Sequence, residues 1–281
     1  MSTYAKLPSK KPKQKAPHRS FFRRLDIRFP WLKLAAVILI GIFAIMDLLD
    51  LTISKIGDPY DKIKIAPMSH HVRATERYFN GRMLVALTFD DGPSAETTPI
   101  LLDILFQKDV PATFFMLGSM ARKNPDLVRR AEKEGHNIGS HTMYHQNLVR
   151  ISAKATQNDI SEAKTVFNEI LGHQPTYTRP PYGNINNTVR SSVGTPMILW
   201  SVDSLDWQSK NVDAIVATIM EQVHDGAIIL MHDIYPTSVE AVPIIINKLR
   251  DAGYEFVNIS ELVKMRSINL SPGTAYYNFR P

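Results

Sequence analysis

Two adjacent carboxylates, Asp90 and Asp91, stand in the heptapeptide LTFDDGP at residues 87–93, directly after a run of apolar residues. Asp-Gly and Gly-Pro are turn formers, so taken alone the stretch reads as a turn. Four further polar clusters change that reading: HTMYH (141–145), TRPPYG (178–183), VDSLDW (202–207) and LMHD (230–233). Imidazoles at i and i+4, as in His141 and His145, can lie on one helical face and share a metal. A single carboxylate, from Asp91 or Asp90, completes such a pair into a set of three ligands with open positions. The plain alternative is two exposed histidines at the start of a helix. Pro180 and Pro181 fix extended backbone and leave the Tyr182 amide without a regular sheet partner, while Arg179 is a permanent cation able to pair with a carboxylate. Asp203, Asp206 and Trp207 follow another apolar run, and His232 and Asp233 end a further one.

The elements that must position these groups follow from the hydrophobic pattern. Strands are expected at 83–89, 112–117, 136–139, 176–179, 197–202, 227–231 and 254–258, seven in all, with helical stretches between them. Thr98 followed by Pro99 reads as the N-cap and first position of a helix over 99–108, and Ser152 caps a helix that ends at Gly172. Gly135, Gly226 and Gly253 fall where helix ends need a left-handed residue. Strand–helix alternation predicts a parallel sheet, either closed into a barrel or left open. Every unusual polar cluster lies at the C-terminal end of an expected strand. In α/β barrels the loops at those ends converge on one face.

Composition narrows the chemistry further. The absence of cysteine excludes disulfides, thiolate metal sites and a cysteine nucleophile, so any metal must be held by His and carboxylate. Residues 1–30 carry nine Lys or Arg against one Asp, net +8, so with a formal +6 overall the rest of the chain carries −2. The basic balance therefore belongs to the N-terminal tail, and no nucleic-acid partner is expected. Residues 34–46, LAAVILIGIFAIM, are flanked by Lys33 and by Asp47 and Asp50. With its flanks this run predicts a membrane segment over 29–51, read as an uncleaved anchor rather than a cleaved signal peptide because no small-x-small site follows Met46. The positive-inside rule then puts residues 1–28 in the cytoplasm and the remainder outside, joined by a linker and lead-in at 52–82.

Together the five clusters resemble the motifs of the polysaccharide deacetylases of carbohydrate esterase family 4, the NodB homology domain, here spanning 83–265 with a C-terminal tail at 266–281. TFDDGP, HTMYH, RPPYG, DSLDW and LMHD occur in the family's order with no departure at a motif position. The resemblance implies a distorted, incompletely closed (β/α)7 barrel, preceded here by the single N-terminal membrane helix. It implies that Asp91, His141 and His145 bind one divalent metal, usually Zn2+ with Co2+ or Ni2+ as alternatives. By the same resemblance Asp90 is the general base, His232 the general acid, Arg179 the partner of the base and Asp206 the residue that orients the acid. Trp207 and Leu230 resemble the walls of the acetyl pocket, and the Tyr182 amide resembles the oxyanion donor. Two neighbouring carboxylates are then useful because a metal takes the charge of Asp91, leaving Asp90 free to accept a proton from the attacking water.

The expected activity is removal of acetyl groups from an N-acetylated polysaccharide outside the cell. N-acetylglucosamine in peptidoglycan comes ahead of chitin-like oligosaccharides and O-acetylated polymers, since an anchor restricts reach to polymers near the membrane. Two rivals are an amidohydrolase acting on a small non-sugar amide and a sugar-binding pseudoenzyme. The presence of both Asp90 and His232 weighs against the second. His70 and His71 lie in the linker region, His136, His173 and His224 are read as surface or core residues, and the aromatic tail AYYNFRP (275–281) as packing back on the domain.

Overall fold

The computed structural model describes residues 82–281. The expected tail, membrane segment and nearly all of the linker, residues 1–81, lie outside the described residues. Among the described residues no helix is long and apolar enough to cross a membrane.

The first described strand, β1 (Met83–Asp90), is buried from its second residue on, and its period-2 alternation splits two cores. Val85, Leu87 and Phe89 point to the helical layer, whereas Leu84 and Ala86 point into the concave side with Phe115, Tyr177, Ile198, Ile228 and Phe279. Thr88 and Asp90 continue that inner row, so strand geometry alone aims the Asp90 carboxylate inward at the end of β1. Helix α1 (Thr98–Gln107) leads to β2 (Thr113–Met116), and the short α2 (Gly118–Lys123) and α3 (Pro125–Lys133) lead to β3 (Asn137–Ser140). The long α4 (Ala153–Leu171) starts at Ser152, whose Oγ accepts from the Ala155 N–H, and stops at Gly172 with φ 81°. After α5 (Asn187–Val193) come β4 (Met197–Ile198), β5 (Val202–Asp203), α6 (Asp206–Ser209) and α7 (Val212–Gln222). Strand β6 (Ala227–His232), α8 (Pro236–Asp251), β7 (Tyr254–Phe256), α9 (Ile259–Met265) and β8 (Ala275–Tyr276) complete the domain.

The main sheet is parallel, in the order β3-β2-β1-β6-β5, with β7 paired to the first three residues of β1 on the edge that β2 takes over further along. Beyond β3, single-residue bridges from Ser140 to Thr178 and from Thr178 to Met197 carry the curve to the small parallel pair β4-β8. This is an α/β fold with a parallel sheet, consistent with a distorted barrel closed only by irregular segments.

Three expectations about elements are corrected. The segment 176–179 is not a strand but contributes Thr178 alone, because Pro180 and Pro181 end the ladder at once. The apolar run 197–202 is two strands. Leu199 N–H donates to Tyr276 C=O and Ser201 N–H to Ile228 C=O, so the chain changes partners midway. The N-cap of α1 is Thr97, because the Thr98 hydroxyl is engaged with Ser94 N–H and Asp233. The C-terminal tail does pack back: β8 pairs with β4, Phe279 is buried, and its N–H donates to Gly226 C=O at 2.9 Å. Gly226 sits at φ 77°, and a Cβ there would lie 2.1 Å from the Phe279 carbonyl oxygen, so both its conformation and this close approach exclude a side chain.

Candidate active site

The site grows from the β1–β6 pair. Their parallel register sets Asp90 directly beside His232, so two side chains distant in sequence share one face at the same level of the sheet. Asp90 is buried and its Oδ1 accepts from Arg179 Nη1 at 2.7 Å. Arg179 has no exposed surface, and each of its nitrogens finds an acceptor: Nε to Ile198 C=O at 2.9 Å, Nη1 also to Thr88 Oγ1 at 2.8 Å, and Nη2 to Leu199 C=O at 2.9 Å. The guanidinium lies 4.1 Å from the centre of the Phe115 ring. Burial pushes the Asp90 carboxyl above the ordinary carboxylate range, opposed by the charge of Arg179. Desolvation, rather than repulsion from Asp91, is the main cause.

Asp91 turns off the end of β1 with a left-handed φ of 76°. Its Oδ1 is buried without a hydrogen-bond partner, yet lies 3.5 Å from His141 Nε2 and 3.4 Å from His145 Nε2. The two histidines do not share a helical face, contrary to the spacing argument. Residues 141–147 are a loop that the left-handed Thr142 (φ 72°) and His145 (φ 56°) fold back, bringing the two rings to 5.0 Å. Gly118 and Ser119 N–H groups strap this loop through Thr142 and Met143 C=O, and Asp159 Oδ1 accepts from Met143 N–H at 2.7 Å. His141 Nδ1 faces Arg179 C=O at 2.7 Å; a carbonyl can only accept, so Nδ1 carries the hydrogen and Nε2 keeps its lone pair. Burial drives His141 down to about 3, which keeps it neutral. Three ligand atoms, one each from Asp91, His141 and His145, lie within 4.8 Å of one another. An orphaned carboxylate oxygen facing two imidazole nitrogens is a donor set that can hold a divalent cation.

On the other side His232 is built into a hydrogen-bonded box. Asp206, buried at the start of α6, accepts from His232 Nδ1 at 2.8 Å, His232 N–H at 2.7 Å, Ser238 Oγ at 2.6 Å and Trp207 N–H at 2.8 Å. Burial disfavours the His232 charge, but the hydrogen bond and charge of Asp206, with Asp90 and Asp91 adding, push it up to about 9. The imidazole is therefore a cation at neutral pH. The Tyr182 ring is exposed and packs edge-on against His145 at 4.7 Å. Tyr182 itself is left-handed (φ 61°) in the short 3-10 turn Pro181–Gly183. The turn's hydrogen bonds run from Gly183 N–H to Pro180 C=O and from Asn184 N–H to Pro181 C=O, so neither uses the Tyr182 N–H. Leu230 is buried in β6 and Trp207 is half-exposed beside Asp206.

Asp203 instead accepts from Leu205 N–H at 2.9 Å, a local turn contact. His136 is buried and His173 is exposed beside Glu132, both apart from the metal-ligand set. Thr88, Asp159, Ser238 and Tyr235, whose ring lies 5.8 Å from that of His232, contact residues of the site without having stood out in the sequence, whereas Asp233 did so as the last residue of LMHD.

A buried carboxylate with its arginine, an Asp-His-His set able to hold a cation and a charged histidine on the adjacent strand thus converge at the C-terminal ends of the parallel strands. The polysaccharide deacetylase family matches residues 80–195. The peptidoglycan-N-acetylglucosamine deacetylase PgdA of Listeria monocytogenes is 44% identical over 178 residues, 63% of this chain and 38% of that protein. The peptidoglycan-N-acetylmuramic acid deacetylase PdaC of Bacillus subtilis is 40% identical over 209 residues, 73% of this chain and 45% of that protein. This chain thus spans less than half the length of either relative. A solved structure described as a T48 deacetylase with substrate superposes with a TM-score of 0.67 at 39% identity, covering 70% of this chain and 97% of the other. The chain belongs to the polysaccharide deacetylase family.

Proposed function

We propose that this protein hydrolyses the acetamide of N-acetylated sugars in an extracytoplasmic polysaccharide, with N-acetylglucosamine of peptidoglycan as the substrate. The observation that carries the proposal is the pairing of Asp90 and His232 across β1 and β6, beside the Asp91-His141-His145 set. Those three residues would hold a divalent ion, Zn2+ by the donor set with Co2+ or Ni2+ able to replace it, which would supply Lewis acidity for the amide carbonyl and a lowered pKa for water.

The remaining work falls to the chain's own side chains. Asp90, held by Arg179 and raised by burial, accepts the proton of the attacking water. Tyr182 N–H donates to the oxyanion as the carbonyl becomes tetrahedral. An amine leaves poorly unless protonated, and His232, kept charged and oriented by Asp206, delivers that proton to the departing nitrogen. Trp207 and Leu230 bound the space for the acetyl methyl. The peptidoglycan activity named for the Listeria and Bacillus relatives supports the choice of polymer and an extracytoplasmic site of action, and the basic tail with its apolar run supports attachment to the membrane.

The test is to digest protein-treated peptidoglycan and identify the deacetylated sugar by mass spectrometry. Loss of acetyl from N-acetylglucosamine is expected. Loss from N-acetylmuramic acid alone would correct the substrate, and unchanged peptidoglycan and N-acetylglucosamine oligomers would overturn the proposal.

A further inference from the structure

The segment that carries both candidate carboxylates is seated on a residue that the proposed chemistry does not use. Asp233 follows His232 at the end of β6 and is buried. Its Oδ2 accepts from Thr98 Oγ1 at 2.5 Å and its C=O from Thr97 Oγ1 at 2.5 Å, tying the end of β6 to the start of α1. Its Oδ1 is buried with no hydrogen-bond partner. The carboxyl group lies over Gly92, the residue after Asp91. A Cβ built at Gly92 would sit 2.2 Å from Asp233 Oδ2, 2.3 Å from Oδ1 and 2.5 Å from Cγ, and these are its three nearest atoms. Gly92 does not have a positive φ, so its backbone does not require glycine. The side chain of Asp233 does.

The opposite side of the loop is fixed as well. Leu117 N–H donates to Gly92 C=O at 3.0 Å and Asn124 Nδ2 to Pro93 C=O at 3.1 Å. Asp91 thus holds its left-handed conformation between the end of β1 and a Gly92 that is gripped from both sides. A non-glycine residue in that region persists only where its surroundings over-determine it.

We propose that Asp233 and Gly92 form a knob-and-socket pair that positions Asp91 toward His141 and His145, making Asp233 a positioning residue for metal binding. The inference rests on the metal-dependent reading above. Burial, with Asp91 and Asp90 nearby, pushes the Asp233 carboxyl up to about 7. Asparagine has the shape of aspartate, so Asp233→Asn keeps the socket filled, and size rather than charge is the quantity to vary.

Zn2+ affinity is measured by competition with a chromogenic chelator on the full chain, alongside apo-protein melting and kcat and KM for acetate release. Asp233→Asn is expected to stay within about threefold of wild type in Zn2+ affinity. Asp233→Ala empties the socket and Gly92→Ala collides with the carboxyl; each is expected to weaken Zn2+ binding about 10- to 100-fold, the usual cost of removing a residue that supports metal ligands. The accompanying loss should fall on kcat rather than KM. The double variant Gly92→Ala/Asp233→Ala refills the socket and should recover at least about tenfold over the weaker single variant, the non-additivity expected of residues in contact. Apo-protein melting separates this from a general loss of stability, which would lower the melting temperature in step with the affinity. Wild-type Zn2+ affinity in Asp233→Ala, or losses that multiply in the double variant, would overturn the proposal. Should Asp233→Ala fail to fold, wild-type Zn2+ affinity in Gly92→Ala overturns it equally. Because affinity is read without turnover, absence of acetate release by the wild type would sink the deacetylase reading and leave this test intact.

Discussion

Replacing Asp206 by Asn keeps the shape of the box around His232 and removes its charge. His232 stands at about 9, against an ordinary value near 6.5, and Asp206 is the main group raising it. That difference corresponds to about 3 kcal/mol of preferential stabilisation of the imidazolium. Without the carboxylate, burial acts unopposed by its strongest partner and His232 falls to 6.5 or below. At pH 7.5 a group titrating at about 9 is protonated in all but a few per cent of molecules, whereas one at about 6.5 is protonated in roughly one in ten. If His232 is the acid, Asp206→Asn should cost about tenfold in kcat/KM at pH 7.5 from protonation alone, and up to about 10²- to 10⁴-fold if the ring also loses its orientation. The assay is the pH dependence of acetate release from N-acetylglucosamine oligomers. The wild-type alkaline limb should fall at or somewhat below pH 9, since a cation at Asp91 cancels part of that carboxylate's contribution; in the variant it should move down by about two pH units. Stability follows the same sign. A raised folded-state value means that the Asp206–His232 contribution is complete below about pH 6.5 and is lost as pH rises through about 9, a slope the variant should lack. An alkaline limb at the same pH in both proteins would refute the assignment of His232 as the acid tuned by Asp206.

Arg179→Met leaves the buried Asp90 carboxylate uncompensated and should cost about 3–5 kcal/mol in urea unfolding at neutral pH, less at acid pH where Asp90 is protonated. Asp90→Asn should retain metal and lose turnover, whereas His141→Ala should lose both; equal metal loss in the two, by elemental analysis, would contradict the division of labour between Asp90 and Asp91. Phe279→Ala should cost about 3–5 kcal/mol by thermal unfolding, as for a core aromatic.

Most residues of the candidate site stood out in the sequence because they follow expected strands, and a strand end is a place where side-chain direction is set by a period of two. Asp90 is the clearest example: the row Leu84, Ala86, Thr88, Asp90 is fixed inward as soon as β1 is placed. The geometry that joins His141 to His145 was not legible. Spacing of i and i+4 fits a helix, but the rings meet through left-handed residues at Thr142 and His145, neither a glycine. The run 197–202 failed for a different reason. Its apolar content says that it is buried, but not that Ile198 and Leu199 carbonyls turn to Arg179 while the chain passes from β8 to β6. Asp159 and Ser238 were invisible because they act on the site from helices, where a single polar residue on a buried face has no distinguishing pattern.

If Asp91, His141 and His145 hold the metal of the proposed reaction, the acetamide is not hydrolysed without it. Acetate release from N-acetylglucosamine oligomers, measured before chelation, after chelation and after returning one equivalent of Zn2+, tests it most directly. Release should stop with chelation and return with the metal. Release that continues in protein shown by elemental analysis to be metal-free would contradict it.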